Sequence, residues 1–239
     1  MDGLVGLMGD VAEERMIELV VLDLVGTLVA DDGQVEQAFE SALSAHGLAM
    51  DGERLTDVRG LRKRDAIRRL TESSGERAPA LAEQVYEGFK ARLSLAYRER
   101  PPRMLPGAAE FLEWAAERGV KVAVNTGLDR DLAGLLLAGF RRAIDAVVTG
   151  DDVAESRPAP DLIFRAMETT RVFSVNSVAV VGDTAADLRA GGNAGVRLNI
   201  GALSGAHTRA QLECEPHTHL IEHLGELPAL LAGVADMQR

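Results

Sequence analysis

Cysteine is almost absent from this chain. Cys214 is the only one, so no intrachain disulfide can form and no cysteine zinc site can be built. A reducing compartment fits. Long apolar runs are absent too, and none approaches the ~20 residues that cross a bilayer. The opening MDGLVGLMGDVAEERM has no basic stretch, and its apolar part is too short for a secretion signal. The expected location is cytoplasmic, without membrane contact, and residues 1–16 are expected to form a flexible leader. Positive charge is in deficit. Lys and Arg total 26 against 37 Asp and Glu, a formal net charge of -11. Clustered cations that could neutralise a phosphate backbone are lacking over most of the chain, so nucleic acid is not an expected partner. Internal repeats and low-complexity segments are also missing. What remains is an ordinary globular composition over 239 residues, room for one large domain or two modest ones.

Several short runs are apolar throughout: Ile17–Leu22, Val120–Val124, Ala146–Val148, Ser177–Val181 and Val196–Leu203. Unbroken Val/Ile/Leu runs suit parallel strands covered on both faces. Helical patterns lie between them. One is Ala108–Arg118, with Gly119 as its C-terminal stop, and another is Asp161–Thr169. The expected fold class is α/β, a doubly wound Rossmann-like parallel sheet over residues 17–29 and 104–239.

Residues 30–103 break this rhythm. Val35, Ala38, Phe39, Ala42, Leu43 and His46 keep helical spacing, and Gly47 supplies a stop. Leu81, Val85, Phe89, Leu93 and Tyr97 continue it. No strand signal interrupts. The segment reads as a helical cap inserted after the first strand.

Three of the strand-like runs end on a polar group: Asp23, Thr126 and Asp183, with Asp187 one helical turn beyond the last. Ligands of open α/β sheets bind at the carboxyl ends of the strands, so these groups should converge in one crevice. Each alone has a plain structural explanation as a turn, cap or first-turn residue. Together with Arg157 in SRPAPD they suggest phosphoryl transfer. An aspartate can attack phosphorus and carry the phosphoryl group as an aspartyl-phosphate. Paired carboxylates need a cation between them, and Mg²⁺ suits this, because it takes one or two carboxylates plus waters and phosphate oxygens. Thr126 and Arg157 would hold the remaining phosphoryl oxygens, and Gly127 would lie beside them.

DLVGT (Asp23–Thr27), NTG (Asn125–Gly127), Arg157 and GDTAAD (Gly182–Asp187) resemble, in that order, the haloacid dehalogenase superfamily. The insertion after the first strand is similar to its type 1 cap. The resemblance implies Asp23 as nucleophile and metal ligand, the carbonyl of Val25 as a further ligand, and Asp183 and Asp187 at the metal. Typical members carry a second Asp where this chain has Val25, and Lys where it has Arg157. A small apolar residue and an Arg at these places mark the phosphonatase branch. RPAPDLIFRAM, VGDTAADLRAG, GALSGAH and HTHLI resemble that branch further along. In that branch a cap lysine forms a Schiff base, which accepts the electrons released as the C–P bond breaks. RGLRKRDAIRRL (Arg59–Leu70) resembles its cap motif and puts Lys63 at the lysine position. Arg62 and its basic neighbours would attract an anionic phosphonate or phosphate, and like-charge repulsion from Arg59, Arg62 and Arg64, together with partial burial under cap closure, would lower the Lys63 pKa. A homodimer is a further implication of the resemblance.

Two alternatives stand beside phosphonate cleavage. One is a phosphomonoesterase, in which Lys63 only binds substrate. The other is a non-catalytic ligand-binding member of the fold. His217, His219, His223, Cys214 and Trp114 are assigned no chemistry.

Overall fold

The computed structural model describes residues 16–49 and 52–236. Of the expected leader, only Met16 falls among them. Six strands form one parallel sheet: β1 (Leu19–Asp23), β2 (Lys121–Thr126), β3 (Ala146–Thr149), β4 (Val178–Gly182), β5 (Leu198–Ala202) and β6 (His219–Ile221). Their spatial order is β3-β2-β1-β4-β5-β6, which places the topological switch between β1 and β2 on one side and β4 on the other. Every residue of β1 is buried, because helices cover both faces of the sheet. Alternate side chains serve opposite layers. Val20 and Leu22 join the core beneath α5 (Ala108–Arg118), α6 (Arg130–Leu137) and α10 (Leu227–Asp236), which continues into the insertion. Leu19 and Val21 join a second core beneath α7 (Asp161–Thr170). Burying one such side chain contributes about 1.5–3 kcal/mol.

The observed strands are trimmed relative to the apolar runs. The fifth run began at Val196, but the backbone there is already committed. Val196 donates to the Gly191 carbonyl as α8 (Ala185–Ala194) ends, and Arg197 donates to Val175. Gly119 does end α5, in the left-handed conformation that suits glycine (φ 68°).

Between β1 and α5 the described residues make four α-helices: α1 (Gln34–Ser44), α2 (Gly52–Val58), α3 (Lys63–Thr71) and α4 (Ala78–Glu99). The outgoing and returning segments pair with each other. Ala30 donates to the Arg103 carbonyl at 2.9 Å, and Leu105 to that of Leu28 at 3.0 Å. The helices share one apolar core, with the Phe39 and Phe89 rings 4.4 Å apart. Gln34 ties α1 to α4 by donating to the carbonyls of Ala96 and Arg100. Among the described residues no helix is long and apolar enough to cross a membrane.

Candidate active site

Parallel strands deliver their C-terminal residues to one edge of the sheet. Asp23 ends β1 and pairs in register with Asn125 of β2, and Thr126 follows it. Asp183 comes immediately after β4. Past Asp23 the chain turns sharply. Gly26 adopts φ +95°, and a Cβ there would meet an Asp183 carboxylate oxygen at 2.4 Å. Only glycine lets the β1 loop approach Asp183 so closely.

A cavity of about 320 Å³ opens at this edge, between the sheet and the helical insertion. Asp23, Thr126, Gly127, Arg157 and Asp183 line it from the core, as does Val25. Lys63 and Arg59 line it from the insertion. Sequence positions far apart therefore share one enclosed space.

Arg157 is almost wholly buried and holds the core side together. Its Nη1 lies 2.7 Å from Asp23 Oδ1 and 2.8 Å from Asp187 Oδ1. Its Nη2 donates to the backbone and side-chain oxygens of Asn125. Nη1 also reaches the Gly60 carbonyl of the insertion at 3.4 Å. This leaves Asp23 Oδ2 without a hydrogen bond among the described residues. Burial raises the Asp23 carboxyl to about 6, against the opposing pull of Arg157. Burial also raises Asp183, to about 8, with the Asp23 and Asp187 charges adding to it. Asp183 Oδ2 accepts from Ala206 N at 2.7 Å, and Oδ1 accepts from the Thr27 hydroxyl at 3.3 Å.

Two buried carboxylates in one cavity, both resisting ionisation, form a donor set that suits a hard cation. Among the described residues no group of three or more His, Cys, Asp or Glu side chains is arranged to hold a metal. Mg²⁺ does not need such a cage, since it keeps waters and takes substrate oxygens. The Val25 carbonyl fits as a third protein ligand, because it accepts no backbone hydrogen bond among the described residues.

Asp187 differs from its expected place. It does not line the cavity. Its Oδ2 accepts from Thr184 in the capping box that starts α8, and its Oδ1 faces Arg157. Asp187 thus sits behind Arg157, facing its guanidinium rather than the cavity. Arg62 also stands apart from the cavity. Its guanidinium pairs with Asp65 and donates to the core carbonyls of Gly150 and Val153. The arginine that lines the cavity from the insertion is Arg59, which pairs with Glu36 and donates to Ala206 O.

Lys63 is half-buried and makes no ion pair among the described residues. Its pKa is lowered, chiefly by burial. The charges acting on it come from Asp23, Arg157, Asp31 and Asp183. The expected repulsion from Arg59, Arg62 and Arg64 is not the cause, because each of those is turned to a partner. Arg64, for example, pairs with Glu83 and lies over the Tyr86 ring at 3.9 Å.

The model of the haloacid dehalogenase-like hydrolases matches residues 17–195. The chain belongs to this family. Among curated haloacid dehalogenase-like relatives, the phosphonoacetaldehyde hydrolase of Bacillus cereus is 31% identical over 198 residues, covering 75% of this chain and 74% of that protein. That of Latilactobacillus sakei is 26% identical, covering 90% and 95%. A solved hydrolase from Pseudomonas syringae shares the fold with a TM-score of 0.81 at 24% identity, covering 90% and 98%. This chain is therefore a hydrolase with a phosphonatase-like sequence, built on the family's α/β core.

Some members of the site carried only a faint sequence signal. Asn125 sits inside the NTG motif but drew no role there. Ser204, in GALSGAH, donates to the Gly26 carbonyl at 2.8 Å and steadies the turn beside Asp183. The contact of Tyr86 with Asp129, 2.7 Å across the boundary between insertion and core, had no signal at all.

Proposed function

We propose that this hydrolase cleaves the C–P bond of a small carbonyl phosphonate, such as phosphonoacetaldehyde, through an imine on Lys63 and an aspartyl-phosphate on Asp23. One observation carries the reading: Lys63, uncommitted and pushed toward its neutral form, shares a cavity with Asp23, while Val25 stands where a second acid would serve an ester. The names of the relatives support the same substrate class.

The neutral Lys63 amine attacks the substrate carbonyl and expels water, leaving a protonated imine beside the C–P bond. Asp23 Oδ2, free of hydrogen bonds, attacks phosphorus. The C–P electron pair moves into the iminium and leaves an enamine. Proton return to carbon and hydrolysis of the imine release the aldehyde and regenerate Lys63. Water then frees phosphate from Asp23. Thr126 and Arg157 orient the phosphoryl oxygens. Asp23, Asp183 and the Val25 carbonyl would hold Mg²⁺, which when bound would supply charge neutralisation for the phosphoryl group.

A second reading is phosphate-ester hydrolysis. It is favoured by the core residues taken alone, which grip a phosphoryl group without regard to its leaving atom. Phosphate release with Mg²⁺ from phosphonoacetaldehyde and from a panel of phosphate esters separates the two. Release from esters alone overturns the phosphonatase reading, and release from neither overturns both.

A further inference from the structure

We propose that Arg62 is a positioning residue: its grip on the core carbonyls of Gly150 and Val153 sets where the adjacent Lys63 stands in the cavity. The role rests on the lysine chemistry proposed above, but the docking it describes does not.

Arg62 immediately precedes α3, and Lys63 is the first residue of that helix. Whatever fixes the Arg62 side chain therefore fixes the root of the lysine. The Arg62 fork is fixed from two directions. Asp65, one turn into the helix, accepts from Nε at 2.7 Å and from Nη2 at 3.3 Å. Nη1 reaches across to the core, 3.2 Å from Gly150 O and 3.4 Å from Val153 O. These two carbonyls follow β3, so the arginine measures the position of α3 against the sheet edge itself. A planar guanidinium satisfies both sides at once, which a lysine ammonium cannot do.

The packing beneath is tight enough to make this a register. A Cβ on Gly150 would meet Arg62 Cγ at 2.8 Å. A Cβ on Gly127 would meet the Leu61 carbonyl oxygen at 2.4 Å. The Lys63 amide donates to Gly127 O at 3.0 Å, beside Thr126. The residues flanking and including Lys63 thus lie against the very loop that holds the phosphoryl-binding threonine. A displacement of about 1 Å at such a site can cost 100-fold in rate.

The test uses the full chain with Arg62→Lys and Arg62→Ala. Both should lower kcat on the phosphonate about 100-fold and change KM less than threefold. A raised KM restored by Arg62→Lys would mean that Arg62 binds substrate, and would overturn the proposal. Unchanged kcat in folded variants would overturn it as well. Hydrogen exchange supplies a readout independent of the lysine chemistry. The Lys63 amide should be protected in the parent protein and exposed in Arg62→Ala, while β1 amides stay protected. Loss of that protection with no phosphonatase activity in the parent would keep the docking role and discard only the imine reading. Retained protection in Arg62→Ala would discard the docking role itself.

Discussion

Arg157 grips Asp23 with a single nitrogen, Nη1 to Oδ1 at 2.7 Å, and the same nitrogen faces Asp187. One oxygen of Asp23 is thereby fixed, and the other carries no hydrogen bond among the described residues. The expense of burying these charges makes the cluster fragile. Removing one partner of a buried ionic group typically costs about 3–5 kcal/mol. Arg157→Ala should lose stability on that scale in denaturant titrations. A midpoint within error of the parent would mean that the pairing contributes nothing to the fold.

Asp23→Asn should lower turnover by about four powers of ten or more, since the proposed covalent nucleophile is lost while shape is kept. Circular dichroism should stay native. Substantial phosphate release from the folded variant would assign the attack to another group.

Metal stabilisation should depend on pH. Asp23 and Asp183 are raised in the folded chain, to about 6 and about 8. The unfolded chain ionises first, so the metal-free protein loses this part of its stability as pH rises from about 4 toward 8. A bound cation relieves the repulsion, and its stabilising effect follows mass action. The difference in Tm between Mg²⁺ and EDTA should therefore widen between pH 5 and pH 8, and shrink in Asp183→Asn. A difference that is flat with pH would remove these carboxylates from the metal site.

Borohydride should trap an adduct on Lys63 in the presence of phosphonoacetaldehyde, read by mass spectrometry. Burial lowers the Lys63 pKa, so the neutral amine persists below the usual lysine range, near 10.4. Trapping should then fade as pH falls through the lowered value. Lys63→Arg keeps the charge, cannot form an imine, and should be inactive on that substrate. Turnover by Lys63→Arg would favour ester hydrolysis instead.

Gly127→Ala probes the seat of α3. The added methyl would press on the Leu61 carbonyl, a backbone atom that cannot turn aside. About 100-fold loss of kcat should accompany little change in the unfolding of the sheet. Normal kinetics would show that the insertion tolerates being lifted from the core.

The parallel sheet, the helical character of the insertion and most of the groups at the cavity can be read from the order of residues alone. The physical reason is locality. Burial on both faces leaves unbroken apolar runs, helices leave periodic ones, and strand ends in a parallel sheet share one edge. Asp23, Thr126 and Asp183 were legible on those grounds, Arg157 joined them from SRPAPD, and the motif resemblance added Lys63. Tertiary structure alone decided how each charge is spent. Asp187 and Arg62 have the residue types of ligand and substrate anchor, yet in the fold the carboxylate of one faces Arg157 and the guanidinium of the other faces the Gly150 carbonyl. The partners that decide this, Arg157 for one and the Gly150 and Val153 carbonyls for the other, lie far away in the chain, where no spacing rule reaches. The lowered pKa of Lys63 arises chiefly from burial between insertion and core, while the arginines beside it in sequence are turned to partners that only the folded chain supplies.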